Sequence, residues 1–430
     1  MSTVADVPRN TGVLFVGRVA AQGLAVAMTV VLAARLGVTG LGEYALVSAV
    51  VFVANVATTF GTDMVLVREI AAGGRVTRWV AALVVQLGLS ALAIVLIVAL
   101  APVIPGQSAA VVTALRISSL SLLPAAVYSV ATAVLRGVGM MGAYAGLGVA
   151  AAAIQLGAVA LLVGIGASIV RVAVVLVAAQ LVVAVAAWGL CAVRIGGLRA
   201  RPRTSRPAVA AMARESASIG VLGLLGVVYQ RVGAIAVSVL VGPVATGWYA
   251  GASRITEASK TGHLALFGAV YPAMAQDEAA RARAGPAPVL GWSWRLCVVL
   301  GGAVTAGLLL LGPTLVGWFY GPAFAPSTGG LAILALAVVP STMASYQSLA
   351  LLAAHREADT LRVLAVSLGV LVVAAGVLIP AVGWQGACWA VVAADTMQAA
   401  LMIRARAAVG RARPARSPVV APAELGRSFR

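Results

Sequence analysis

Charge is scarce in this sequence. Only 10% of its 430 residues are charged, whereas about a quarter of a typical soluble domain is charged. Apolar residues make up 62% of the chain. This composition excludes an ordinary soluble enzyme, because the chain cannot present a polar surface around a single core. Since about 20 apolar residues cross a bilayer core of roughly 30 Å, the sequence predicts an all-α polytopic membrane protein.

Cysteine and histidine are also rare. The chain has three cysteines and two histidines, and all five are isolated from one another: Cys191, Cys297, Cys388, His263 and His355. Scattered residues of this kind give neither a disulfide framework nor a set of metal ligands. The sequence therefore predicts that the cysteines are packing residues, and it gives no reason to expect a metal.

Lysine is almost absent, and so are long polar connections. The single lysine, Lys260, lies in an apolar segment, so the chain has no glycine-rich phosphate loop ending in lysine. ATP hydrolysis is thereby excluded, and no cofactor is expected. No connection is longer than about 25 residues. This disfavours a membrane glycosyltransferase or polymerase, whose active site normally occupies a sizeable loop.

What the sequence does contain is arginine, which gives most of a net charge of +18. With the polar residues 1–11 in the cytosol, 22 arginines fall in inner connections and only Arg35 and Arg171 in outer ones. Positive residues favour the cytosolic side, so both termini are predicted to lie inside. The same rule explains why the chain is so basic, so there is no need to assume that it binds nucleic acid. The arginine-rich, alanine-rich composition is typical of a GC-rich bacterium, and the expected location is its cytoplasmic membrane.

Twelve apolar segments can be distinguished, and a basic connection divides them into two groups of six. We predict a cytosolic N-terminus (1–11), an N-lobe of six helices (12–192), a basic linker (193–215), a C-lobe of six helices (216–403) and a basic cytosolic tail (404–430). The predicted spans are 12–35, 43–67, 79–101, 109–134, 143–165, 169–192, 216–241, 246–274, 291–318, 328–353, 361–382 and 385–403.

A ten-residue pattern recurs at the first outer turn of each group. "LGVTGLGEYA" at 36–45 and "VGPVATGWYA" at 241–250 share two glycines, a tyrosine and an alanine, each 205 positions apart. A glycine just past a helix end adopts the left-handed cap, and the tyrosine is expected at the membrane interface. Recurrence at matching places indicates a duplicated six-helix unit, related by an axis along the membrane normal.

Several bases lie inside the predicted spans. Each would cost roughly 2.5–3.5 kcal/mol if it faced lipid, so these side chains are expected to face a wet or paired interior. The acids in the spans are Asp63, Glu257 and Asp395, which are candidates for ion pairing or for coupling to an ion. The deep bases, which are candidates for binding an anionic substrate, are Arg18, Arg116, Arg231, Arg254 and Lys260.

Two interpretations of these charges stay open at this point. Glu257 is three residues from both Arg254 and Lys260, so ion pairs that hold the bundle together would explain part of the pattern. Five bases nevertheless outnumber three acids. We favour a cavity of net positive charge whose ligand is an anion, because the guanidinium fork bonds two phosphate oxygens.

Several stretches resemble a known family. "ARLGVTGLGEYALVSAVVFVANVATTFGTDMVLVREIA" (34–71), "VLVGPVATGWYAGASRITE" (239–257), "YPAMAQ" (271–276), "LVGWFYGPAFAPSTGGLAILALA" (315–337) and "VGWQGACWA" (382–390) resemble Wzx-type polysaccharide flippases. These belong to the multidrug/oligosaccharidyl-lipid/polysaccharide (MOP) exporter superfamily. One departure is Gly233, which stands where family members often carry an aspartate after the arginine of segment seven.

The resemblance implies two six-helix lobes in a V-shaped arrangement. It also implies transfer of a polyprenyl-pyrophosphate-linked oligosaccharide from the inner to the outer leaflet by alternating access. The implied partners are that lipid-linked substrate, membrane lipid and the polymerase and glycosyltransferases of cell-surface polysaccharide synthesis, with the chain itself a monomer. The alternatives are a related drug or cation antiporter, or a lipid II flippase. A cationic drug would require a net acidic cavity, which disfavours the antiporter.

Overall fold

The computed structural model describes residues 6–73, 78–164, 167–195, 204–260, 289–353 and 356–412. These residues form helices joined by short turns, and they contain no strand. Nine of the described helices are long and apolar enough to cross a membrane, or ten if a pair bent by 41° forms one span. The predicted all-α, polytopic membrane fold is confirmed.

The described residues of the N-terminal half form seven α-helices, and the first of these helices turns back on itself. Helix α1 is interrupted at Gly37, where φ is +68° and ψ is −171°. Met28 and Asn55 line one cavity, although in an unbroken helix they would be about 40 Å apart. The helices are α1 (Asp6–Thr59), α2 (Thr62–Ala71), α3 (Trp79–Leu100), α4 (Ala109–Ser119), α5 (Leu122–Gly137), α6 (Met141–Leu162) and α7 (Ile169–Arg194).

The described residues of the C-terminal half also form seven α-helices. Its first helix, α8, begins inside the stretch predicted as a linker, because the Ser205 hydroxyl caps the helix by accepting from the Ala208 amide at 3.4 Å. The last helix, α14, extends to Ala412, beyond the predicted start of the tail. The helices are α8 (Arg206–Leu240), α9 (243–260), α10 (Val289–Tyr320), α11 (Ser327–Leu336), α12 (Val338–Ala353), α13 (Glu357–Val382) and α14 (Gln385–Ala412).

Besides the start of α8 and the end of α14, the predicted segments differ from the described helices at three places. Segments one and two are the two arms of α1, and segment two continues past the bend at Gly61 as α2. Segment four comprises α4 and α5, and segment ten comprises the bent pair α11 and α12. Segment eight begins as α9, but its second part, with "YPAMAQ" and His263, lies outside the described residues, as does His355. The division into two lobes stays a prediction.

The two copies of the repeated turn contact each other. Gly37 and Gly242 both have positive φ, but the ψ of −171° at Gly37 places it in an extended region that essentially only glycine adopts and not in the predicted left-handed cap. A methyl group on Gly42 would lie 1.8 Å from the carbonyl oxygen of Pro243, and one on Gly247 would lie 2.1 Å from that of Val38. Since Pro243 is the counterpart of Val38, the contact is reciprocal. The second of the two shared glycines in each copy, Gly42 and Gly247, therefore lets the two halves touch backbone to backbone.

This contact explains why the predicted place of the two tyrosines was wrong. Tyr44 is 9% exposed and Tyr249 is 5% exposed, and both belong to the largest hydrophobic core of the described residues. Each ring follows a turn, as the sequence suggested. The turns, however, pack against one another, so that the rings point into protein and not toward the lipid headgroups.

Candidate functional site

Charged side chains gather where α8, α9 and α14 meet. We call this group the charged cluster: Arg231, Arg254, Glu257, Lys260 and Asp395. In the cluster Glu257 accepts from two arginines. Arg254 Nη1 lies 3.2 Å from Glu257 Oε2, and Arg231 Nη1 lies 3.4 Å from Glu257 Oε1. One carboxylate therefore faces two guanidinium groups, which leaves this triad with a net positive charge.

Two residues of α1 complete the surroundings of these arginines. The Arg254 Nε–H donates to the Thr29 hydroxyl at 3.2 Å. The Arg231 guanidinium lies 4.9 Å from the centre of the Phe52 ring, which is a cation–π contact. The Nε atom of Arg231 is buried and has no hydrogen-bond partner in the described part of the chain. The triad thus joins the two halves and keeps an unused donor.

The second part of the charged cluster lies one helical turn further along α9. Lys260 Nζ is 3.5 Å from Asp395 Oδ2, and the Tyr229 hydroxyl donates to Asp395 Oδ1 at 2.5 Å. Asp395 is only 3% exposed, whereas the Lys260 side chain is 31% exposed. The buried carboxylate is thus satisfied from two sides, while the ammonium group keeps contact with open space.

A small pocket beside Arg231 and Arg254 is lined by residues that correspond between the two halves. Its lining includes three pairs at the 205-residue offset, which are Thr29 and Ala234, Ala45 and Ala250, and Ser48 and Ser253. Paired residues from both copies can line one pocket only if it lies close to the axis that relates the copies. The predicted duplication would therefore place this pocket, like the repeated turn, close to the axis that relates the two halves.

The charges of the cluster break this internal symmetry. Arg231, Arg254 and Glu257 occupy positions whose counterparts, 205 residues earlier, are Val26, Ala49 and Phe52. The C-terminal copy thus carries charge where the N-terminal copy is apolar. Three bases and two acids give the cluster a net charge of +1.

The structure does not bring the remaining two predicted bases into the cluster. Arg18 is exposed and makes no hydrogen bond or ion pair within the described residues, but it lies on the same face of α1 as Thr29, three turns and about 16 Å away. Arg116 is exposed on α4, and its side chain likewise has no such partner in the described ranges. Arg18 therefore faces the same side as the cluster, whereas Arg116 stands apart from it.

Asp63 is also outside the cluster. Its Oδ2 atom lies 2.8 Å from Nη2 of Arg136, whose guanidinium is 5.3 Å from the centre of the Tyr144 ring. Asp63 thus pairs with an arginine of a predicted connection and with none of the five deep bases. Only Glu257 and Asp395 are therefore left to neutralise the five deep bases, so the excess of positive charge is larger than the three acids in the predicted spans suggested.

Gly233 has a steric role in the described structure. A Cβ atom at this position would lie 2.4 Å from the Tyr249 hydroxyl oxygen. The space that an aspartate side chain would need is occupied by that phenol. A glycine at 233 and a buried tyrosine at 249 are therefore two parts of one packing arrangement.

A second, larger cavity lies in the N-terminal half and was not predicted. It has a volume of about 260 Å³, and no charged residue lines it. Its polar lining consists of Ser48, Asn55, Ser118, Ser121, Gln155 and Gln180. Single amides and hydroxyls in separate helices give no motif, so only the tertiary structure reveals this site. Among the described residues no group of three histidine, cysteine, aspartate or glutamate side chains is placed to hold a metal.

Comparison with known proteins places this geometry in a family. A family model described as "Polysaccharide biosynthesis protein" matches residues 7–277, which is more than half of the chain. No curated protein matches the sequence significantly.

Three solved structures have a similar fold. A MATE-family multidrug resistance transporter of the MOP superfamily, in its inward-facing conformation, is 16% identical with a TM-score of 0.71, covering 91% of this chain and 95% of that one. A MOP-superfamily transporter from Pyrococcus furiosus, described as having a binding pocket of reverse polarity, is 15% identical with a TM-score of 0.68, covering 94% and 95%. An outward-facing MATE transporter is 15% identical with a TM-score of 0.66, again covering 94% and 95%. The chain belongs to the polysaccharide biosynthesis protein family and has the fold of the MOP-superfamily transporters.

Proposed function

We propose that this protein is a flippase that moves a polyprenyl-pyrophosphate-linked oligosaccharide from the inner to the outer leaflet of the bacterial cytoplasmic membrane. The observation that carries the proposal is the net positive cluster of Arg231, Arg254 and Lys260 between the two halves. Family membership supports a role in polysaccharide biosynthesis. The fold supports a transporter.

The pyrophosphate is the part of the substrate that the arginines would bind. Two guanidinium groups that share one carboxylate present further N–H donors in a fixed fork, and the Arg231 Nε–H has no partner within the part of the chain that the structure describes. An incoming pyrophosphate would offer more negative charge than Glu257 and would compete with it for the same donors. Arg18, on the same side of the protein as Thr29, would attract the headgroup before it reaches the cluster.

Alternating access would then carry the headgroup past the centre while the polyprenyl chain stays in the bilayer. The reciprocal contact of Gly42 and Gly247 closes the predicted outer side. The headgroup would leave when this contact opens. Asp395 and Glu257 are the candidates for coupling the cycle to an ion, because both carboxylates are paired to bases that a substrate would draw away.

A cationic-drug exporter accounts less well for these observations. A cluster of net charge +1, with an exposed Arg18 on the same side that has no ion-pair partner among the described residues, repels a cation.

The test is removal of the gene and identification of the polyprenyl-linked saccharide that accumulates inside the cell. We expect wild type to restore export, and we expect Arg18→Ala and Arg254→Ala to accumulate the same lipid at normal protein level. Arg362→Ala is the matched control, because the Arg362 side chain is 79% exposed and pairs only with its own helix neighbour Asp359 within the described residues. Wild-type export by both Arg18→Ala and Arg254→Ala would refute the role of the positive charge.

A further inference from the structure

The cavity of the N-terminal half carries no charge, is lined by amide and hydroxyl groups among apolar side chains, and is partly open between helices that are predicted to cross the membrane. At about 30 Å³ for each water molecule, its 260 Å³ would hold about nine waters. That is room for one sugar ring and not for an entire oligosaccharide. We call it the neutral cavity and define it by Ser48, Asn55, Ser121, Gln155 and Gln180.

The polar groups of the neutral cavity suit hydroxyl groups. The Gln155 amide donates to Gln180 Oε1 at 3.1 Å, which leaves Gln155 Oε1 and the Gln180 amide N–H groups without a protein partner in the described ranges. A sugar hydroxyl both donates and accepts, so it can bond an acceptor and a donor of this kind together. A lipid tail would leave these groups unpaired, and burying them unpaired within a membrane protein is costly.

The duplication shows that the same helix face has diverged between the two halves. Ser48, Phe52 and Asn55 project from the second arm of α1 into the neutral cavity. Their counterparts 205 residues later are Ser253, Glu257 and Lys260 on α9, and two of these belong to the charged cluster. One copy of the face is thus charged while the other is neutral.

The neutral cavity and the charged cluster adjoin each other. Tyr44 and Ser48 line both the neutral cavity and the small pocket beside the arginines. Phe52 lines the neutral cavity and stacks on Arg231. A ligand with a charged group linked directly to a neutral hydroxylated ring would place each part on the surface that matches it.

We propose that the neutral cavity is a subsite for the first sugar, a neutral pyranose joined directly to the pyrophosphate, and that Gln155 and Gln180 hydrogen-bond its hydroxyl groups. This subsite rests on the proposed function, because the pyrophosphate must occupy the charged cluster for the sugar to reach the cavity. It assigns sugar recognition to the N-terminal half and charge recognition to the C-terminal half.

Binding of three synthetic lipids to the full-length protein in nanodiscs tests this assignment. The lipids are a short polyprenyl pyrophosphate without sugar, the same lipid with one hexose, and the same lipid with one N-acetylhexosamine. We expect wild type to bind at least one sugar-bearing lipid about tenfold more tightly than the bare lipid, as two net hydrogen bonds imply. The double variant Gln155→Leu/Gln180→Leu should lower this preference to within twofold and leave binding of the bare lipid unchanged.

Controls separate the two proposals. Gln107→Leu, in a connection outside the cavity, should keep the preference, and Arg254→Ala should weaken all three lipids by a similar factor. Binding of the bare lipid also reports whether the glutamine variants fold, and the single variant Gln180→Leu provides a milder second test. A preference that persists in both glutamine variants, or equal binding of the three lipids by wild type, overturns the sugar subsite alone. Failure of wild type to bind any of them overturns the proposed function as well.

Discussion

Adding one methyl group at Gly42 should open the predicted outer side of the protein. The Cβ atom of Gly42→Ala would lie 1.8 Å from the carbonyl oxygen of Pro243 and 2.7 Å from the backbone nitrogen of Gly247. Backbone atoms cannot rotate away as a flexible side chain can, so the two turns must separate by an amount on the order of 1.5 Å to reach van der Waals contact. Overpacking of this kind costs about 1–3 kcal/mol.

This cost falls only on the state in which the two turns touch. A conformation with the turns apart would not pay it, so the ratio of open to closed protein should rise by about 5- to 150-fold. Gly247→Ala should act in the same direction, because its Cβ atom would lie 2.1 Å from the carbonyl oxygen of Val38.

Thiol labelling from the outer side measures this shift. A cysteine introduced at Ser253, which lines the small central pocket, should react slowly with an impermeant maleimide in the wild-type background and at least fivefold faster with Gly42→Ala. The native cysteines are fully buried and should contribute little background. Gly23→Ala is the matched control, because a Cβ atom there would meet no atom within 4 Å. If Gly42→Ala left the labelling rate at that of the control, the turns would not form the outer closure.

Two further predictions concern the surroundings of the charged cluster. Asp395→Asn should lower the free energy of unfolding of the detergent-solubilised protein by about 1–3 kcal/mol, because it leaves the ammonium group of Lys260 without its carboxylate. Adding Lys260→Met to the same chain should recover most of this loss. No recovery would show that the Lys260–Asp395 pair is not the cause. Gly233→Ala should destabilise the protein by a similar amount, because its Cβ atom would lie 2.4 Å from the Tyr249 hydroxyl oxygen. In a thermal-unfolding assay, Tyr249→Phe should relieve part of this strain. An equal loss of stability with and without the hydroxyl would contradict this contact.

Local sequence spacing predicted some parts of the site and could not predict others. Arg254 and Glu257 are three residues apart in one helix, so their contact follows from helical geometry alone. The contacts of Arg254 with Thr29 and of Arg231 with Phe52 join residues far apart in the chain. Such contacts depend on how the two halves pack, which no pattern within either half reveals.

The deep bases also show that local sequence cannot predict contacts between distant residues. Arg18, Arg116 and Arg231 look alike in the sequence, since each is a base within an apolar run. Only Arg231 lies in the charged cluster, whereas the other two are exposed and have no ion-pair partner in the part of the chain that the structure describes. The repeated glycine pattern predicted the turns correctly, but it could not show that the two turns face each other.

Transport by the purified protein in proteoliposomes tests the central claim most directly. The measurement is the rate at which a polyprenyl-pyrophosphate-linked oligosaccharide becomes accessible to an impermeant glycosidase outside the vesicle. The account predicts rapid transfer by wild type and by Arg362→Ala, and transfer at least tenfold slower by Arg254→Ala, in which the guanidinium that joins Glu257 and Thr29 is lost. Equal rates for wild type and Arg254→Ala would contradict it.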